Sequence, residues 1–254
     1  MNRRTYLGLA AAGAVGSIAG CTEATDGQEF PPYPDSETTE LSGEGPETSE
    51  SFEVSLDGPT LIDLEHMGEE NFTVILDHPP DEDAAGDGNE TADDDRNTTA
   101  DDDGLDIEAE EGDEITPVAT VASATGPYNG RTLYAVEPGQ YVLHVLEADA
   151  EWEATVYDLP AYEDGVGSQL PLERDTEQYD VIGPIDFGED RTVDFEFVAN
   201  GEGLHRVFLT DRSGEESLTV AELQGEGSES VSQEISGVGY VEVLTTFPWT
   251  LHLS

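Results

Sequence analysis

The chain is 254 residues long and carries 59 Asp and Glu against eight Arg and no Lys, a formal net charge of −51. That balance argues against nucleic acid as a partner, because too few cations are present to replace the counterions of a phosphate backbone. A single cysteine, Cys21, leaves no internal disulfide to staple the fold.

Residues 1–20 read MNRRTYLGLAAAGAVGSIAG: a short start with Arg3 and Arg4, then an uncharged run of small apolar residues from Leu7 to Gly20. This is the layout of a signal peptide. The run is too short to span a bilayer, which takes roughly 20 apolar residues. The string NRRTYL resembles the twin-arginine export motif, with Arg3 and Arg4 as the pair, and IAGC resembles a lipobox. Together they imply that Cys21 becomes the acylated first residue of an exported lipoprotein, held on the outer face of the cell membrane. Two acyl chains, at about 0.8 kcal/mol per buried CH₂, can hold a soluble domain at a lipid surface. No later segment is apolar enough to span the membrane, so membrane lipid is expected as a partner only through Cys21, with no transmembrane helix in the mature chain.

Without residues 1–20, six Arg stand against 59 acids, a net charge of −53. Such self-repulsion opens compact folds at low ionic strength. At 1 M salt the screening length falls to about 3 Å and the repulsion largely vanishes. An acidic excess without Lys resembles the proteins of salt-saturated environments, haloarchaeal twin-arginine-exported lipoproteins in particular.

Residues 21–50 are rich in Thr, Ser, Glu, Gly and Pro and read as a lipidated, disordered stalk. At about 3.1 Å per residue it would reach on the order of 90 Å. Beyond it the pattern is β. FTVILD, TPVATVASA, RTLYAV, QYVLHVLE and EWEATVYD are short, rich in Val, Leu, Thr and aromatics, and bounded by turn residues. RTVDFEFVA, LHRVFLTD, SLTVAELQ, GYVEVLTT and WTLHLS follow the same rule. The expected fold class is all-β, with two tandem small β-sandwich (jelly-roll-like) domains at 51–160 and 181–254, joined by a linker at 161–180.

The two halves read as copies. A 99-residue shift pairs TVASATG with TVAELQG and Tyr141-Val142 with Tyr240-Val241; a 133-residue shift pairs Phe72–Leu76 with His205–Leu209. A tryptophan, Trp152 or Trp249, opens the last strand of each, and its matching position favours a core role over a sugar-stacking platform. The two shifts differ by 34 residues, which marks 81–114, with its 17 acids and one Arg, as a disordered acidic insertion. The Gly, the Tyr-containing strand and the Trp-led last strand of each copy resemble the small β-sandwiches attached to secreted proteases, of pre-peptidase C-terminal type. That resemblance implies a fold class and no catalytic motif.

Chemistry is sparse. Asp101, Asp103 and Glu110 fall at ligand positions of a calcium loop, but its first position is Thr99, so the reading weakens to multi-site, weak cation binding. A blue-copper site needs a cysteine, and Cys21 is committed to lipid. His66, His78, His144, His205 and His252 are scattered without metal-ligand spacing. Asn71, Asn89 and Asn97 stand in N-x-S/T sequons and are candidate glycosylation sites. No nucleophile elbow or phosphate-cradling loop occurs, and no cofactor is expected. The reading is a lipid-anchored, extracytoplasmic, salt-adapted protein with a non-enzymatic role, binding an envelope protein or a glycan. The rival is a secreted, glycosidase-like hydrolase whose acidic pair cannot be picked out by spacing.

Overall fold

Along Glu151–Asp158 every second side chain, from Trp152 to Asp158, is buried, while the intervening ones are exposed or half-buried. That two-residue period is what a strand with one wet face requires. It builds fifteen strands in a computed structural model that describes residues 33–79, 117–176 and 178–254. Cys21, Arg3, Arg4, Asn89, Asn97, Asp101, Asp103, Glu110 and the expected insertion 81–114 lie outside the described residues.

The first unit comprises β1 (Glu37–Glu44), β2 (Glu47–Thr48), β3 (Phe52–Val54), β4 (Thr60–His66), β5 (Asn71–Asp77), β6 (Ala119–Thr125), β7 (Tyr128–Tyr134), β8 (Gly139–Glu147) and β9 (Glu151–Asp158). One sheet has the order β1-β9-β4-β7; the other has β2-β8-β5-β6, with β3 also on the β8 edge. With β2 and β3 taken together as one strand, this is jelly-roll connectivity. Phe52, Ile62, Phe72, Leu76, Leu143 and Trp152 fill the space between the sheets. At one end Asp158 ties the layers together, accepting from the N–H of Ser55 (2.7 Å) and of Leu56 (3.0 Å).

The second unit comprises β10 (Leu172–Thr176), β11 (Asp180–Ala199), β12 (Leu204–Asp211), β13 (Ser217–Gln224), β14 (Gly227–Leu244) and β15 (Trp249–Leu253). These form one sheet in the order β10-β15-β11-β14-β12-β13. The long strands β11 and β14 shift register between Ile182 and Arg191, where Gly188 and Gly237 have φ of +77° and +78°. Each therefore turns a corner and serves both layers around Phe187, Val193, Phe195, Phe197 and Trp249. In the first unit the same corners are broken by loops containing Pro59 and Pro138, which have no N–H to continue a ladder.

The units repeat one topology at the level of register. The pair Leu64–Gly130 has its counterpart in Phe197–Glu229. The irregularity after Val74 recurs after Val207. Trp152 Nε1 donates to the Gly45 carbonyl (3.3 Å) and Trp249 Nε1 to that of Gln178 (2.9 Å), and 45 and 178 are again 133 apart. Both indoles are core anchors, each about 1% exposed. One proposed match slips: Asp77 pairs Val142 while Thr210 pairs Tyr240, so Tyr240 stands where Val142 stands, not where Tyr141 does.

Two boundaries are corrected. Residues 37–48, expected in the stalk, form β1 and β2, and β1 pairs β9 over all eight residues. Residues 172–176, expected in the linker, form β10 against β15. Both β1 and β10 end their sheets, with one ladder partner each. Each buries a single apolar anchor, Leu41 or Leu172, so composition resembles that of a tether. Composition likewise left unmarked β3, β4 and the first halves of β11 and β14. The chain leaves β5 and returns to β6 at one place, with Val118 N–H donating to the Leu76 carbonyl at 2.9 Å.

A candidate binding cleft at the seam between the units

A third apolar cluster joins the units. Leu61, Leu133, Leu159 and Tyr162 of the first meet Val181, Val238 and Tyr240 of the second. Alternation sets this up: Leu61 and Leu133 project from the outer face of their sheet, opposite to the core-facing Ile62. The free edge of β7 is also covered. Asn129 N–H donates to Gln178 Oε1, Arg131 N–H to the Tyr179 carbonyl (3.1 Å), and Leu133 N–H to the Glu242 carboxylate. Three successive edge donors that would otherwise face the seam unpaired are thereby satisfied.

Beside this cluster lies a charged one. Arg131 Nε donates to Asp63 Oδ2 at 2.9 Å, and its Nη1 stands 3.8 Å from Asp180 Oδ1. Arg174 Nε reaches Asp180 Oδ2 at 2.7 Å. Burial pushes the Asp180 carboxyl up from its ordinary value, against the pull of Arg174 and Arg131. Tyr33 covers the group, its ring edge-on to Tyr157 at 5.0 Å, and burial pushes its phenol well above the ordinary range.

On the far side of Leu133 a cavity of about 390 Å³ opens between the units. Tyr134, Tyr179 and Glu242 line it, with the hydroxyl residues Thr120, Ser123 and Thr132. Tyr134 donates its hydroxyl to the Thr120 carbonyl (2.8 Å), and burial pushes its pKa up to about 12. Glu242 accepts from Thr210 Oγ1 at 2.9 Å, and burial raises its pKa. A carboxylate offers about four acceptor positions, so two remain for a ligand. Two tyrosines, hydroxyl residues and one carboxylate, beside the aliphatic Val121, Ala122, Leu133 and Leu244, suit a small molecule with an apolar face and hydroxyl groups.

A smaller cleft of about 300 Å³ at the bend of β11 and β14 has Phe187, Leu209, Ile235 and Val238 as its floor. Its rim carboxylate Asp211 is engaged, accepting from Ser213 Oγ (2.6 Å) and Glu216 N–H (3.2 Å). Among the described residues no group of three or more His, Cys, Asp or Glu is placed to hold a metal ion.

Of the residues singled out from sequence, Asn71 is described: it is the exposed first residue of β5 and accepts from Thr125 Oγ1 (3.0 Å). The histidines are dispersed. His66 stacks on Phe72 at 4.2 Å and lies 3.4 Å from Asp149; His205 Nδ1 is 2.6 Å from Thr245 Oγ1. Sequence reasoning missed Arg131, Arg174, Asp180 and Glu242. The available signal was scarcity, since in a chain with eight Arg and no Lys each arginine inside a strand is worth a question.

No family model matches the chain. No curated protein matches it. Among solved structures, a chain from the atomic structure of Sulfolobus Turreted Icosahedral Virus aligns over 94% of this chain and 98% of that one, at 12% identity and a TM-score of 0.20. A score that low bears on neither the fold nor the role of this chain.

Proposed function

We propose that the protein is exported, lipid-anchored and adapted to molar salt, and that it acts by binding a glycan of its envelope rather than by catalysis. Anchoring is supported by the order of Arg3, Arg4, the uncharged run and Cys21. Salt adaptation is supported by where the acids stand. In β9, Glu151 and Glu153 are exposed while Trp152 and Ala154, alternating with them, are buried, so the carboxylates coat an ordinary apolar core.

One observation carries the binding role: Tyr134, Tyr179, Glu242 and the exposed hydroxyl residues Thr120 and Ser123 line a single cavity. A tyrosine face takes the apolar face of a sugar ring, and a carboxylate accepts from its hydroxyls. The two carboxyls raised by burial do not form a hydrolytic pair. Val181 is opposite Glu242 and Asp180 opposite Val243 in the ladder, so the two acids project to opposite faces of the strand pair.

A glycan panel titrated against the full chain in about 2 M NaCl, where screening is nearly complete, tests the reading. A binder should lose at least about tenfold affinity, some 1.4 kcal/mol, in Tyr179→Ala and in Glu242→Gln. No binder, or a binder indifferent to both changes, would sink it. Cys21→Ser should release the protein from membranes, and dialysis to about 0.01 M salt should unfold it.

A further inference from the structure

Where the chain becomes fixed decides how an anchored molecule is held. Tyr33 is seated against Tyr157, Tyr162 donates its hydroxyl to the Pro34 carbonyl at 2.7 Å, and Ser36 Oγ donates to the Tyr33 carbonyl at 2.9 Å. From Glu37, paired with Asp158, the chain is a strand of the first unit. Only residues 22–32 therefore separate Cys21 from the fold. At most about 3.3–3.6 Å per residue, they span about 40 Å, less than half of the reach a 29-residue stalk would have.

The point of capture lies at one end of the first unit. There β9 ends, β4 begins and β7 ends, since Asp158 and Tyr134 flank Thr60 in the sheet. The connection that follows β9 leaves from the same end and exposes Glu163 and Asp164. Glu151 starts β9 and is exposed at the opposite end, seven positions before Asp158. At about 3.3 Å per residue the two ends are roughly 25 Å apart.

We infer that the protein lies against the membrane that anchors it, with the end bearing Pro34, Glu163 and Asp164 toward the lipid headgroups and the Glu151 end outward. This rests on the lipid-anchoring reading. The facing end is acidic, so its approach to anionic headgroups depends on salt: repulsion between them extends over about 30 Å at 0.01 M but only about 3 Å at 1 M. The tether limits how far that repulsion can push the body away.

The test uses the full, lipidated chain on phosphatidylglycerol vesicles that carry an acceptor dye in the headgroup. With Cys21 blocked by lipid, Glu163→Cys or Glu151→Cys supplies a single labelling thiol on an exposed position. In about 2 M NaCl, energy transfer to the vesicle should be at least about twofold greater from position 163 than from 151. Insertion of about 20 Gly and Ser residues before Tyr33, at about 5–6 Å × √n of added reach, should shrink that difference. Equal transfer from both positions, or greater transfer from 151, overturns the orientation while leaving anchoring intact. Protein that fails to float with the vesicles overturns anchoring and the orientation with it.

Discussion

The same sheet face occurs twice in this molecule and does two different things. In the first unit its outward positions are Leu61, Asp63, Arg131 and Leu133, and the second unit covers them. At the register-equivalent positions the second unit has Asp194, Glu196, Ser230 and Ser232, which are exposed. The edge strand beside that face differs in the same way: the N–H groups of β7 at 129, 131 and 133 are capped by the other unit. Fold and register are shared, so neither determines whether the face docks. The outward side chains do: where the first face carries Leu61 and Leu133, the second carries Asp194 and Ser232, and it stays in contact with solvent.

Giving the first face the second one's chemistry should have the largest effect. Leu61→Asp puts an uncompensated charge at a position with no exposure, and about 3–5 kcal/mol of stability should be lost. Denaturant melts in molar salt, read together with proteolysis between residues 163 and 171, measure it. A melt matching the parent would show that the seam contributes nothing to stability.

Arg131→Ser comes next. It removes the arginine partner of Asp63 and one of two arginine partners of Asp180, and because Arg131 is 30% exposed the loss should be about 2 kcal/mol rather than a full buried-pair penalty. Adding Asp63→Asn to it should recover part of that loss; no recovery would mean that the Arg131 stem, rather than its charge, holds the seam.

The β5–β6 connection can be cut to the length of its β12–β13 counterpart. Both ends meet at Leu76 and Val118, so replacing 81–114 with a short Gly-Ser link should leave the unit folded. It should gain roughly 1.5 kcal/mol at most from cheaper loop closure. Loss of β-type circular dichroism would show instead that the segment contributes to the core.

The pH response of the seam is a smaller effect. Burial raises Asp180 and Glu242 above their ordinary values. A carboxyl whose folded pKa exceeds its unfolded one stabilises the fold below the unfolded value and loses that contribution as pH rises through the folded value. Stability in molar salt should therefore fall as pH climbs from about 4 towards neutrality, and fall less steeply in Glu242→Gln. Parallel slopes for the two proteins would remove Glu242 from the account. The smallest change is expected from Ser232→Leu, which gives the second face the residue found at 133: within about 0.5 kcal/mol, as for other exposed sites. A dimer seen by sedimentation would mean that one apolar residue suffices to make this face dock.

Much of the architecture was legible in the residues. Ten strand-like strings anticipated most of the ladder, because strands such as β5 and β9 alternate or cluster apolar residues strongly enough to declare a buried face. The edge strands β1 and β10 were not legible, since a strand with one ladder partner and a mostly wet surface needs a single anchor and otherwise looks like a tether. The first half of β14, GSESVSQEISG, was missed for a related reason: its alternation is between half-buried and exposed, and only two of its residues are strongly apolar.

The β class, the repeated order of strands, the core role of the two tryptophans and the acidic coat could be read from the residues, because each depends on the local spacing of residue types. The seam was decided by tertiary structure alone. Arg131 meets Asp180, and Leu133 meets Glu242, across separations of 49 and 109 positions, and nothing local in the chain couples them. A side chain's face follows from the strand period, but whether water or a second unit lies on that face depends on how two finished sheets dock, and no local pattern records that.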